Sequence, residues 1–98
     1  MKIDLSLKNS ELYSGCEIED VAGRANLKTP VADAVQIVGR NIVKIVEERY
    51  GTREPDVTLT GPMAVWAYLI VFHAVVHRFT RVFYDDGRSG PVLIAGHG

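Results

Sequence analysis

The chain has 98 residues, of which 47% are hydrophobic and 23% charged, and its 11 Lys and Arg against 12 Asp and Glu leave a formal net charge of −1. This length excludes two independent cores, and the composition excludes intrinsic disorder. The charge balance excludes a whole-surface electrostatic grip on nucleic acid, so duplex DNA is not an expected partner. A single cysteine, Cys16, excludes an intrachain disulfide framework and a cysteine-rich zinc site.

In chain order, Ile3, Leu5 and Leu7 alternate with Lys2, Asp4, Ser6 and Lys8, the period of a half-buried strand. Asn9-Ser10 reads as a turn, and Leu12 to Ile18 as a second strand closing a hairpin, weakened by Gly15. Glu19 to Lys28 is polar and loop-like. Thr29 as N-cap and Pro30 at the first helical position open a helix. Val31, Ala34, Val35, Val38, Ile42, Ile45 and Val46 form its apolar stripe, and Gly51 closes it. Pro55 to Thr60 contains a strand, Val57-Thr58-Leu59.

Thr60-Gly61-Pro62 then opens a second helix, and Met63 to Val76 is apolar except for His73. This run of 14 residues is short of the about 20 that span a membrane, so it predicts a helix buried on most sides. Thr80 to Tyr84 is a strand, Asp85 to Gly90 a turn and Pro91 to Ala95 a last strand. Residues 1–98 therefore form one α/β domain: a mixed sheet with a parallel strand–helix–strand crossover, a final antiparallel hairpin and two main helices. No signal peptide is read at Met1-Lys2-Ile3-Asp4, so a cytoplasmic location is expected. Half-apolar composition on so small a domain predicts a homodimer or larger assembly.

Three places could carry chemistry. Thr60-Gly61-Pro62 sits between the carboxyl end of a strand and the amino end of a helix, where backbone N–H groups suit a phosphate; an ordinary capped connection explains it equally. His73 and His77 are one helical turn apart, but Ala74 and Val75 replace the glutamate-bearing centre of a zinc-protease motif and no third ligand is evident. The pair can still ligate a metal, do acid–base work on a phosphodiester, or be a core and a helix-end histidine. In Tyr84-Asp85-Asp86-Gly87-Arg88-Ser89-Gly90, hairpin chemistry accounts for Gly87, while Arg88 can grip a phosphate and Asp85 can orient a base or a ribose hydroxyl. With the strands at 57–60 and 80–84 parallel, Gly61 and Asp85 share one sheet edge, and His77 lies about 20 Å away at the far end of the helix. A second copy packed head to tail would bring the two ends together.

Between Thr58 and His97 the chain resembles a ring-nuclease family of type III CRISPR systems, the third group to be named. The resemblance rests on the order of Thr60-Gly61-Pro62, an apolar helix with Trp66 ending in His73 and His77, the strand end Tyr84-Asp85 with Arg88 following, and an apolar strand leading to His97. It implies a Rossmann-like fold of the kind found in CRISPR-associated nucleotide sensors. It also implies binding and cleavage of cyclic oligoadenylate, the small cyclic RNA messenger of that antiviral response, at a site shared between head-to-tail dimers or tetramers. Under it, His73, His77, Asp85 and Arg88 are the catalytic residues, and Thr60, Gly61, Pro62, Tyr84 and His97 contact the ligand. No cofactor is required, Mn²⁺ being an optional aid. The chain departs from the family pattern where Val76-His77 replaces two adjacent histidines, where the Tyr-Asp-Arg loop is one residue longer, and where no arginine precedes Gly61. The alternatives are a module that binds the nucleotide without cutting it, and a structural oligomer with Trp66 and His73 in its interface.

Overall fold

The computed structural model describes residues 1–49 and 55–96. The expected helix end at Gly51 and the expected ligand contact His97 lie outside the described residues. Among those residues there are six strands and two helices: β1 (Lys2–Asp4), β2 (Ile18–Val21), β3 (Arg24–Leu27), α1 (Val31–Arg49), β4 (Asp56–Thr60), α2 (Val65–Val75), β5 (Arg81–Asp85) and β6 (Val92–Gly96). The main sheet has the order β1-β4-β5-β6, with β1, β4 and β5 parallel and β6 antiparallel at the end. α1 and α2 are the two crossovers. Because the strands follow one another in one direction across the sheet, right-handed crossovers put both helices on the same face. There they touch: a Cβ added to Gly39 of α1 would lie 3.4 Å from the Ile70 side chain of α2.

The core forms under these helices. Ile3 of β1, Val57 and Leu59 of β4 and Val82 of β5 meet Val38, Ile42 and Val46 of α1 and Ala67, Val71 and Val75 of α2. The opposite face of the sheet is lighter. It carries a bidentate pair between register partners, with Arg81 Nε donating to Asp56 Oδ1 at 2.8 Å and Nη2 to Oδ2 at 2.7 Å, and the same guanidinium stands 5.5 Å from the centre of the Phe83 ring. No described helix is long and apolar enough to cross a membrane.

Several expectations need correction. β1 stops at Asp4, and Ser6 to Lys8 turn, although Leu5 remains buried. The segment from Leu12 is a series of turns rather than a strand, because side chains satisfy its backbone. Asn9 Oδ1 accepts the Leu12 N–H at 3.1 Å, and Asn41 Nδ2 of α1 donates to the carbonyls of Leu12 and Ser14 at 2.8 Å. The hairpin lies in the stretch expected to be loop. β2 and β3 pair across the two-residue turn Ala22-Gly23, both at positive φ (54° and 79°), the conformation whose twist matches paired strands.

The helix starts are also displaced. α1 begins at Val31, with the Pro30 carbonyl accepting the Ala34 N–H at 2.9 Å, so Pro30 stands at the N-cap position rather than the first helical one, and Thr29 Oγ1 accepts instead from the Glu17 N–H at 2.7 Å. Thr29 thus ties the hairpin to α1 rather than capping the helix. α2 begins at Val65 after Ala64, which has no side-chain cap, and not at Pro62. Nor is α2 buried on most sides: Ala67, Val71, Ala74 and Val75 are buried, while Val65 and Leu69 are exposed.

Candidate functional site

The three parallel strands end together. Asp4, Thr60 and Asp85 are register partners across β1, β4 and β5, so one row of carboxyl-end residues carries two carboxylates flanking a hydroxyl. In open α/β sheets this is the edge where ligands bind. A cleft of about 520 Å³ opens there, lined by Thr60, Gly61, Pro62, Tyr84, Asp85 and Arg88. A second hollow of about 530 Å³ continues it on the other side of Gly61, past Asp4, Ser6, Lys2 and Lys8.

Gly61 shapes the junction between the two hollows. Its φ of +100° suits glycine, and a Cβ there would lie 2.2 Å from Asp4 Oδ1 and 3.0 Å from the Ser6 nitrogen. The Asp4 carboxylate is fixed in that spot by the Ser6 N–H at 2.9 Å and the Ser6 hydroxyl at 3.0 Å. The Leu5 N–H donates to the Thr60 carbonyl at 2.7 Å, Thr60 Oγ1 donates to the Asp85 carbonyl at 2.8 Å, and the Tyr68 hydroxyl donates to the Gly61 carbonyl at 2.5 Å. Tyr68 also meets the Tyr84 ring edge-on, with centroids 5.5 Å apart. Burial, together with Tyr84 and Asp4 nearby, pushes the Tyr68 phenol up to about 12, so it stays a donor throughout the neutral range.

The loop after β5 is held by its own carboxylates. Asp85 Oδ1 accepts the Gly87 N–H at 2.8 Å, and Asp86 Oδ1 accepts the N–H groups of Arg88 and Ser89 at 2.8 and 3.2 Å. Asp85 therefore has a structural task that hairpin chemistry alone did not suggest. Arg88 is exposed on the cleft wall, where its planar guanidinium can meet an anion.

The structure gathers Thr60, Gly61, Pro62, Tyr84, Asp85 and Arg88 in one cleft. It does not bring His73 and His77 there. α2 starts near the cleft and runs back along the parallel strands, so His73 is exposed well along the helix and His77 lies in the turn beyond its end, roughly 18 Å from Val65. His73 is not a core residue. The start of α2 at Val65 also removes the helix-end argument from Gly61: the strand end and loop, not a helix dipole, form the cleft. Asp4, Ser6 and Tyr68 belong to the site and were missed. Asp4 would have been found by placing β1 parallel beside β4 rather than in a hairpin. Among the described residues, no three or more His, Cys, Asp or Glu are grouped so as to hold a metal. Comparison with protein-family models, with curated proteins and with solved structures returned no match to this chain.

Proposed function

We propose that the chain binds cyclic oligoadenylate in the carboxyl-end cleft and cleaves it at a site completed by a second copy, acting in the cytoplasm as an off-switch of the type III CRISPR response. The observation that carries this reading is the cleft itself. Thr60, Gly61, Tyr84, Asp85 and Arg88 supply a hydroxyl, a close backbone approach, an aromatic wall, a carboxylate and a phosphate-binding cation around one hollow. Three parallel strands with two crossovers support the Rossmann-like description.

In the proposed reaction a ribose 2′-hydroxyl attacks the adjacent phosphorus, and the bond to the 5′-oxygen breaks. The products are a 2′,3′-cyclic phosphate end and a 5′-hydroxyl end. The proton lost from the 2′-oxygen goes to a base, and an acid supplies one to the 5′-oxygen, so no water is consumed. His77 or His73 of one copy fills the acid–base role. Arg88 and the backbone around Gly61 of the other copy stabilise the extra charge on the phosphorane. Asp85 holds the loop and orients the hydroxyl. Much of the rate comes from positioning, since the nucleophile is part of the substrate. Mn²⁺ is an optional aid to this reaction; among the described residues of one chain no three or more His, Cys, Asp or Glu are grouped so as to hold it.

A second reading, binding without cleavage, is favoured by the separation of both histidines from the cleft. The test is to incubate the purified chain with cyclic tri-, tetra- and hexa-adenylate, with EDTA or with Mn²⁺, and to read the products by mass spectrometry. Linear products from one ring support cleavage. An intact ring that co-elutes with the protein moves the answer to the binding module, and a ring neither cut nor retained overturns both.

A further inference from the structure

The two edges of the main sheet are built differently. β1 is three residues long and presents Lys2 and Asp4, the short charged edge that discourages further pairing. β6 is Val92-Leu93-Ile94-Ala95-Gly96, five residues without a charge, hydrogen-bonded on one side to β5. Val92, Leu93 and Ile94 are 54, 54 and 55% exposed. The register shift opposite Val82 and Phe83 leaves Ile94 without a register partner in β5 and keeps Val92, Leu93, Ala95 and Gly96 in the ladder.

This edge is continuous with an unpartnered helix face. Val65, Leu69 and His73 fall four apart on α2 and form an exposed stripe, with Val65 72% and Leu69 64% exposed. Between stripe and strand runs an apolar groove of about 520 Å³ lined by Met63, Val65, Leu69, Phe72, Tyr84 and Ile94. A groove of this size lined by apolar side chains is unusual on a chain that acts alone.

We propose that a second copy of this chain covers this face, with the two β6 strands paired antiparallel about a two-fold axis and the α2 stripes closing over the grooves. Three observations choose a copy over another occupant. An antiparallel edge is self-complementary: a two-fold axis sets Val92 to Ile94 of one chain against the same residues of the other, the isologous contact most dimers use. The face offers no charge with which to select a charged partner, since β6 has none and His73 is the one titratable group on the α2 stripe. The area is also right. Half-bare side chains of this size expose roughly 100 Å² each, so Val65, Leu69, Tyr84, Val92, Leu93 and Ile94 offer on the order of 600 Å². With the strand backbone added, this approaches the ~800 Å² per partner of a standard interface.

This contact is lateral. It joins sheets side by side, shares Tyr84 with the cleft wall, leaves the acid–base role to His77 because it covers the stripe that carries His73, and stands whether or not a nucleotide is bound. The test is sedimentation equilibrium of the purified chain without nucleotide, beside Leu93→Lys, Leu69→Glu and the double variant. The wild type is expected at twice the chain mass of 10.8 kDa at micromolar concentration. Each single variant should weaken the dimer at least roughly tenfold, with an unchanged far-ultraviolet spectrum because both side chains are exposed. Hydrogen exchange gives a second reading: amides of Val92–Gly96 should slow as wild-type concentration rises. A wild type at single-chain mass, with the face left for a different protein, overturns the proposal. So does a dimer that survives the double variant.

Discussion

α1 and α2 lie side by side on one sheet face, yet they divide their residues between core and solvent differently. α1 separates its residues: Ala34, Val38, Ile42 and Val46 are buried, while Asp33, Arg40, Lys44, Glu47 and Glu48 face water. α2 has no such division. It is apolar nearly all round, but four of its residues are buried and its outer stripe is bare. An amphipathic helix states which face is inside; a uniformly apolar one leaves that open and keeps a surface for a second contact. The comparison teaches that the monomer's stability rests on α1 and on one side of α2, and that the other side of α2 is available for assembly.

The largest expected effect pits two large aliphatic residues against each other. Ile42→Ala in α1 should cost about 2–5 kcal/mol in urea unfolding, because Ile42 is fully buried and its removal leaves a cavity. Leu69→Ala in α2 removes a similar side chain and should change single-chain stability by less than about 0.5 kcal/mol. Equal losses at both positions would break the comparison. Gly61→Ala comes next, at about 1–3 kcal/mol, since its Cβ would strike the Asp4 carboxylate at a φ that alanine rarely adopts. Loss of ligand binding should accompany it. If Gly61→Ala is as stable as the wild type, the close approach of β1 and β4 at the cleft is misdescribed.

Tyr13→Phe should cost about 1–2 kcal/mol, because the buried Tyr13 hydroxyl donates to the Leu5 carbonyl and would leave it unpaired. Burial pushes the Tyr13 phenol up, and it pushes that of Tyr68 up to about 12 against 10.0 for a free tyrosine. A raised folded-state value makes its stabilising share complete below pH about 10 and lost as the pH rises towards 12. Alkaline titration of stability should therefore fall in that window in the wild type and less steeply in Tyr68→Phe. The smallest effect has the opposite sign. Gly39→Ala should raise stability by about 0.5–1 kcal/mol, as alanine suits the middle of a helix and its Cβ would meet Ile70 at an ordinary 3.4 Å. A loss there would mean that α1 and α2 are packed more tightly than that distance allows.

The crossover from β4 through α2 to β5 was legible because local signals carry it: alternation at Val57 and Leu59, a Gly-Pro break, an unbroken apolar run and a Gly-rich loop. The cleft lining followed from that unit, since a parallel pair must end together. Other parts depended on distant partners. Leu12 and Tyr13 look like strand residues, and only Asn41, on α1, reveals why they turn instead. β2 and β3 are exposed and carry no alternation to read, so Ala22-Gly23 was the one available sign of their hairpin. Asp4 joined the site because β1 pairs with β4 across the whole of α1. The start of α2 was displaced because Pro62 is as compatible with a turn as with a first helical residue.

The claim that the cleft of one copy is completed by a histidine of another is tested most directly by complementation. Asp85→Ala and His77→Ala chains, each pure and each inactive on the ring that the wild type cuts, are mixed in equal amounts. Random assembly puts an intact cleft against an intact histidine in roughly a quarter of sites, so the mixture should recover about that share of wild-type cleavage. A mixture as inactive as its parts, although its chains exchange, would contradict the shared site.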